Sequence, residues 1–269
     1  MTHLPDVDLL DLELDNGWLT LWFNSETNRN ALSDQMVSEM NSVLDAVRDD
    51  RTVRGITLRG RHGIFCAGAD LKGFSSAITN GASHEEVMEL NKSAGYLFAK
   101  VNSMPQVVLA YVEGAAIAGG LGLMCCADVI TVTDGAKFSL TETMLGIAPA
   151  QIAPIVVARI GLPAARRLML TAARFAGTEA LEVGLADYVV QDASEFEEIE
   201  NGLKKGVMKC APGANAATKE ILQVTPYLYG EDMMNFAADK FATCMRSEEG
   251  QEGIASFFEK RRPSWDPKK

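Results

Sequence analysis

The sequence predicts an α/β fold followed by a helical C-terminal region. Three observations carry this. Apolar runs of strand length alternate with amphipathic helical patterns through about Gln191. Beyond Gln191 the strand signals stop, and apolar residues recur only at helical spacing. Two glycine-rich stretches, residues 64–72 and 112–122, each follow an apolar run at a point where a strand gives way to a helix. The predicted organisation is a core over residues 1–191 and a helical region over residues 192–269.

Taken in order, residues 7–14 and 18–23 read as strands around Asp15-Asn16-Gly17, a hairpin signal. Ser33 is a plausible N-cap for a helix with the stripe Met36, Met40, Val43, Leu44 and Val47. Residues 53–58 read as a buried strand. Residues 74–84 are polar, small and glycine-containing, and read as a mobile loop. Val87, Leu90, Ala94, Leu97, Phe98 and Val101 mark another helix. Residues 107–112 form a strand that leads into the second glycine stretch. A short helix and a strand over 128–132 follow. Residues 196–209, 213–222, 232–246 and 250–260 are helix-like. The chain shows no internal sequence repeat and no low-complexity segment.

Composition narrows the function classes. The 269 residues are 47% hydrophobic, enough for a sizeable core, as expected of a soluble globular protein. No apolar run reaches the ~20 residues of a membrane span. The start, Met1-Thr2-His3-Leu4-Pro5-Asp6, lacks a signal-peptide pattern. Cys66, Cys125, Cys126, Cys210 and Cys244 are scattered and read as reduced thiols, so a cytoplasmic location is expected. The net charge of −11 argues against a nucleic-acid surface. It also means that a phosphate-bearing ligand needs local cations, for which Arg29, Lys72 and Lys260 are candidates. His3, His62 and His84 sit in polar settings. No Ser-His-Asp triad or metal cluster suggests itself.

The chemistry resides in the two glycine stretches. Where a strand passes into a helix, the first helical N–H groups have no internal partner. Two such groups facing one pocket would hold a developing oxyanion. The stretches are Ile64-Phe65-Cys66-Ala67-Gly68-Ala69-Asp70-Leu71-Lys72 and Val112-Glu113-Gly114-Ala115-Ala116-Ile117-Ala118-Gly119-Gly120-Leu121-Gly122. Together they resemble the crotonase (enoyl-CoA hydratase/isomerase) superfamily. Asn28-Arg29-Asn30-Ala31-Leu32 and Phe257-Phe258-Glu259-Lys260-Arg261 resemble further motifs of that family, in the same order.

The resemblance implies a spiral of ββα units and an acyl-CoA substrate, with coenzyme A as part of the substrate and no separate cofactor. It implies oxyanion donors at the N–H groups of Ala69 and Gly119. It implies substrate contacts at Arg29, Ala31, Ala67, Asp70, Leu71, Lys72 and Gln151, with Lys72 where the family often has a lysine for a coenzyme A phosphate. Phe241, Phe257 and Lys260 would cover the adenosine end, often across a subunit boundary, in a homotrimer or dimer of trimers. Typical hydratases of the family use two glutamates. Here Glu142 supplies one, and the position of the other is Gly122, which has no side chain. A second departure is Ile147-Ala148-Pro149-Ala150-Gln151-Ile152-Ala153-Pro154, where many members have a glycine-rich turn.

Glu142 is therefore the expected single acid/base, with a pKa raised by apolar neighbours. Hydration of an enoyl thioester and shift of its double bond both fit one glutamate, and hydration is preferred. The glycine at 122 combined with Pro149-Ala150-Gln151-Ile152-Ala153-Pro154 resembles the branch that hydrates methylglutaconyl-CoA or isohexenylglutaconyl-CoA. On this reading Gly122 vacates volume for a branched, carboxylated acyl group. A non-catalytic, RNA-binding or assembly role is the third reading, and the acidic charge counts against it.

Overall fold

The computed structural model describes residues 3–266. It opens with a hairpin of β1 (Leu10–Asp15) and β2 (Trp18–Phe23), paired antiparallel from Leu10↔Phe23 to Asp15↔Trp18. Its turn needs two left-handed residues, supplied by Asn16 (φ 48°) and Gly17 (φ 75°). A side chain at Gly17 would also collide with the Thr52 carbonyl, 2.5 Å from the Cβ position. The strand starts at Leu10 rather than at residue 7.

Ser33 caps α1 (Asp34–Arg48) by accepting from the Met36 N–H, and the expected stripe is buried. β3 (Gly55–Gly60) lies parallel to β2 and begins two residues later than its apolar pattern. The expected loop over residues 74–84 is corrected. α2 (Leu71–Thr79) is helical, and α3 (His84–Asn102) starts behind a capping box between Ser83 and Glu86. Leu71, Phe74 and Ile78 recur at helical spacing, a signal diluted by the small polar residues between them.

The chain continues through β4 (Val107–Val112), β5 (Ala115–Ile117), α4 (Gly119–Met124), β6 (Val129–Thr133) and β7 (Lys137–Ser139). It then forms α5 (Ala153–Thr171), β8 (Phe175–Ala176), α6 (Gly177–Glu182) and β9 (Tyr188–Val190). Among the described residues, six strands form one sheet in the order β1-β2-β3-β4-β6-β9, and β5-β7-β8 form a second. Two successive turns, β4-β5-α4 and β6-β7-α5, each add a strand to the large sheet and a three-residue strand to the small one, then a helix. This is the crotonase-like spiral of ββα units.

The turns share a polar device. Asp128, just before β6, accepts from the Val108 N–H of β4 at 2.7 Å. Asp187, just before β9, accepts from the Ile130 N–H of β6 at 2.7 Å. Each carboxylate ties a new strand to the previous one where the ladder begins.

Side chains alternate across the large sheet. Leu19, Leu21, Ile56, Val108 and Ala110 pack in the main core with α1, α3 and α4. Trp18, Leu109 and Tyr111 face the other way, under Phe196 of α7 (Phe196–Val207). After β9 the structure is helical, with α8 (Pro212–Val224), α9 (Gly230–Arg246) and α10 (Glu248–Phe258) following α7. Polar contacts hold this region at the beginnings of the sheet strands. Arg54, before β3, donates to the carbonyls of Val207, Met208, Cys210 and Trp265. Lys219 of α8 pairs with Asp128 at 2.6 Å and donates to the Gln106 carbonyl.

Candidate active site

Strand register builds the site at the opposite ends of the strands. Cys66 bridges Ala116 in parallel, and Ala116 is in register with Phe138. The three segments therefore leave this row side by side. Ala69 and Gly119 each lie three positions past it, and Glu142 lies four past it. A further parallel bridge, Leu32↔Ala69, adds the segment after residues 28–31. Residues far apart in the chain thus reach one place because short strands share a direction.

The backbone at the junction is strained. Ala118 has φ 51° and ψ −121°, a region that side-chain-bearing residues avoid. Its N–H is held by the Ser139 carbonyl at 2.8 Å, and its own carbonyl accepts from the Gly122 N–H. This turn presents the Gly119 N–H at the start of α4. Among the described residues, the amide hydrogens of Ala69 and Gly119 have no acceptor. They are near neighbours, since a Cβ on Gly119 would lie 3.5 Å from the Ala69 nitrogen. Gly68, at φ 102°, carries the first donor past Ile117 and Ala118, and a Cβ there would lie 2.9 Å from the Ile117 carbonyl. Two free N–H groups held side by side are the arrangement that an oxyanion hole requires.

Glu142 opens a 3₁₀ turn, Glu142–Leu145, directly after β7. Its Oε2 is shielded and has no hydrogen-bond partner among the described residues. Burial pushes its carboxyl pKa above the ordinary glutamate range. A carboxylate without a cation partner is a stronger proton acceptor than a paired one. By contrast, burial pushes the Cys66 thiol up to about 12, so it stays protonated and is no nucleophile.

The early motif converges on the same place. Asn30 is buried at φ 57° and accepts from the Ser25 N–H, while its amide donates to the carbonyls of Arg61 and Ile64. This fixes its neighbours. The Arg29 carbonyl accepts from Ala67, and the Leu32 N–H donates to Gly68. Arg29, Ala31, Ala67, Asp70, Leu71 and Lys72 are thereby gathered around the donors. Arg29 and Lys72 have exposed side chains, and the Asp70 carboxylate accepts from the Lys72 N–H at the head of α2.

The reading of Gly122 as vacant acyl space is corrected. A Cβ on Gly122 would lie 2.1 Å from Ile152 Cγ2 and 2.6 Å from Ile152 Cβ. Ile152, which is buried, fills the volume left by the missing side chain. Gly122→Glu is therefore expected to lower the melting temperature markedly, by overpacking worth about 1–3 kcal/mol. Adding Ile152→Ala should recover part of that loss in thermal unfolding. An unchanged melting temperature for Gly122→Glu alone would contradict the contact. The adjacent Gln151 turns to α3, where its Nε2 donates to Asn91 Oδ1 at 2.6 Å.

Phe241, Phe257 and Lys260 are not brought to this pocket within one chain. Their helices pack with α8 at the beginnings of the strands, and Phe241 and Phe257 are exposed. The roles of Ala118, Ile152 and Asn91 were missed from sequence. An alanine in a left-handed conformation leaves no mark in composition. Ile152 could have been found only by knowing which residue faces Gly122.

Comparisons with known proteins agree with this geometry. Residues 13–268 match the family model for enoyl-CoA hydratase/isomerase. The solved structure of Pseudomonas aeruginosa AtuE is 45% identical, with a TM-score of 0.92 over 97% of this chain and 100% of that one. An enoyl-CoA hydratase/isomerase from Marinobacter aquaeolei is 38% identical, with a TM-score of 0.91 over 96% of this chain and 99% of that one. Human mitochondrial methylglutaconyl-CoA hydratase is 28% identical over 94% of this chain and 75% of its own length. A free amide pair, a half-buried glutamate with a shielded, unpartnered oxygen and a match that runs nearly from end to end point the same way: this chain belongs to the enoyl-CoA hydratase/isomerase family.

Proposed function

We propose that the protein adds water across the 2,3 double bond of an acyl-CoA thioester whose acyl group is branched and carboxylated. The observation that carries the hydration step is Glu142, a half-buried carboxylate whose shielded Oε2 has no hydrogen-bond partner, on a segment that runs beside those of the two free N–H groups of Ala69 and Gly119. The thioester oxygen accepts from both N–H groups. The Glu142 carboxylate takes a proton from water as the water oxygen bonds to Cβ, and the double-bond electrons move onto the thioester oxygen. The resulting enolate returns its electrons to Cα, which takes the proton from the Glu142 carboxylic acid. One glutamate serves both transfers, so nothing in the cycle needs a side chain at 122.

Arg29 and Lys72, on the rim, offset the protein's acidic charge where the coenzyme A phosphates would pass. The branched, carboxylated acyl group draws support from the likeness to methylglutaconyl-CoA hydratase. It no longer draws support from Gly122. Mass spectrometry after incubation with enoyl-CoAs tests the reaction type. A gain of one water supports hydration. An unchanged mass with a moved double bond would replace it with isomerisation.

The C-terminal helices carry exposed Phe241, Met245, Ile254, Phe257 and Phe258. A monomer gains nothing from exposing them, and a neighbouring subunit would bury them. A trimer, or a dimer of trimers, is the expected mass in solution, with Phe257 and Lys260 reaching the neighbour's pocket. A strictly monomeric mass at micromolar concentration would rule this out.

A further inference from the structure

The contact between Gln151 and Asn91 is a polar feature of the wall next to Ile152 that the reaction scheme does not use. Gln151 precedes Ile152, which lies on Gly122, one helical turn and about 4.5 Å along α4 from the Gly119 donor. The Gln151 amide lies over Gly95 of α3. A Cβ at Gly95 would meet Gln151 Oε1, so the absence of a side chain there is what lets the amide settle on the helix. Asn91 stands one turn earlier on α3, and both side chains are half-buried.

Donor arithmetic gives this pair a direction. Two side-chain amides carry four N–H groups, and their mutual bond uses one, whichever way each amide is flipped. Neither side chain has another partner among the described residues, so three N–H groups are left over. None of these is a buried atom left without a partner, so the spare N–H groups remain accessible to a ligand that brings acceptors. The neighbours on the Gln151 side are apolar, namely Ala148, Pro149, Ala150 and Ile152.

We propose that Asn91 and Gln151 form the specificity subsite that receives a carboxylate on the acyl group. This rests on the hydratase reading of the same pocket. Neutral amides suit the task better than a cation would. A lysine or arginine beside Glu142 would pair with it and lower its pKa, removing the base. Amide donors hold a substrate carboxylate without that effect.

The test compares 3-methylglutaconyl-CoA with crotonyl-CoA, which lacks both the branch and the carboxylate. Wild-type protein should favour the carboxylated substrate in kcat/KM. Asn91→Asp places a negative charge where the substrate's would lie. It should lower that preference by about tenfold to a hundredfold, through KM rather than kcat. Asn91→Leu should lower it in the same direction, and Gln151→Glu should repeat the effect of Asn91→Asp. Melting temperatures of the variants identify any that fail to fold, and the remaining variants decide. If both substrates lose equally, the pair merely fastens the segment before α5 to α3, and the proposal is overturned. If wild-type protein hydrates crotonyl-CoA at least as well as the carboxylated substrate, the subsite is overturned while hydration stands. If neither substrate gains water, the hydratase reading itself fails.

Discussion

Glu142→Gln is expected to reduce turnover by about 10²-fold or more while leaving acyl-CoA affinity close to that of the wild type. Glutamine keeps the shape of the side chain and loses only the proton transfer. Stability should move the other way. Burial raises the Glu142 pKa, so folding disfavours its ionisation. The stability this group contributes is present below the ordinary glutamate range and is lost as pH rises through the raised folded-state value. At neutral pH glutamine carries no charge to desolvate, so the variant should melt at the same temperature or higher. The raised pKa also sets a pH signature. Wild-type kcat/KM should fall on acidification with a midpoint above the ordinary glutamate range, as the base becomes protonated. That limb should vanish in the variant's residual activity. Near-normal turnover in Glu142→Gln would remove this residue from the mechanism.

Gly120→Val is expected to damage the fold and the oxyanion hole together. A Cβ at Gly120 would lie 2.4 Å from the Cys66 carbonyl oxygen and 2.8 Å from Cys66 Cβ. Neither can yield cheaply, because Cys66 belongs to the row that aligns Ala69 with Gly119. α4 must move off the first glycine stretch, and the two donors separate. The loss of one aligned donor corresponds to about 10²–10³ in kcat. The overpacking costs about 1–3 kcal/mol and should show as a lower melting temperature. Gly202→Ala in α7 is the control, because a Cβ there meets nothing within 4 Å. A Gly120→Val protein with full activity would show that the two segments need not touch.

Sequence reading found the parts of the site that depend on local chemistry. The Asn16-Gly17 turn, the Ser33 cap and the two glycine stretches announce themselves through residue type. Glu142 was assigned through the family resemblance, and the parallel pairing of β5 with β7 explains how its segment reaches that of Gly119. What stayed hidden depends on contacts between distant segments. β5 and β7 have three residues each and β8 has two, too short for any period to register. α2 was hidden by its small polar residues. Gly122 shows the limit most plainly. A glycine signals that something comes close but does not say what. Here it is Ile152, and the space that seemed open to substrate is filled by the protein itself.

The most direct test of the whole account is a structure of the protein with an acyl-CoA bound. The thioester oxygen should lie about 2.7–3.1 Å from both the Ala69 and Gly119 nitrogens. The Glu142 carboxylate should stand within reach of Cβ or of a water beside it. A thioester oxygen directed away from both N–H groups would contradict the assignment of this pocket as the site of enolate stabilisation.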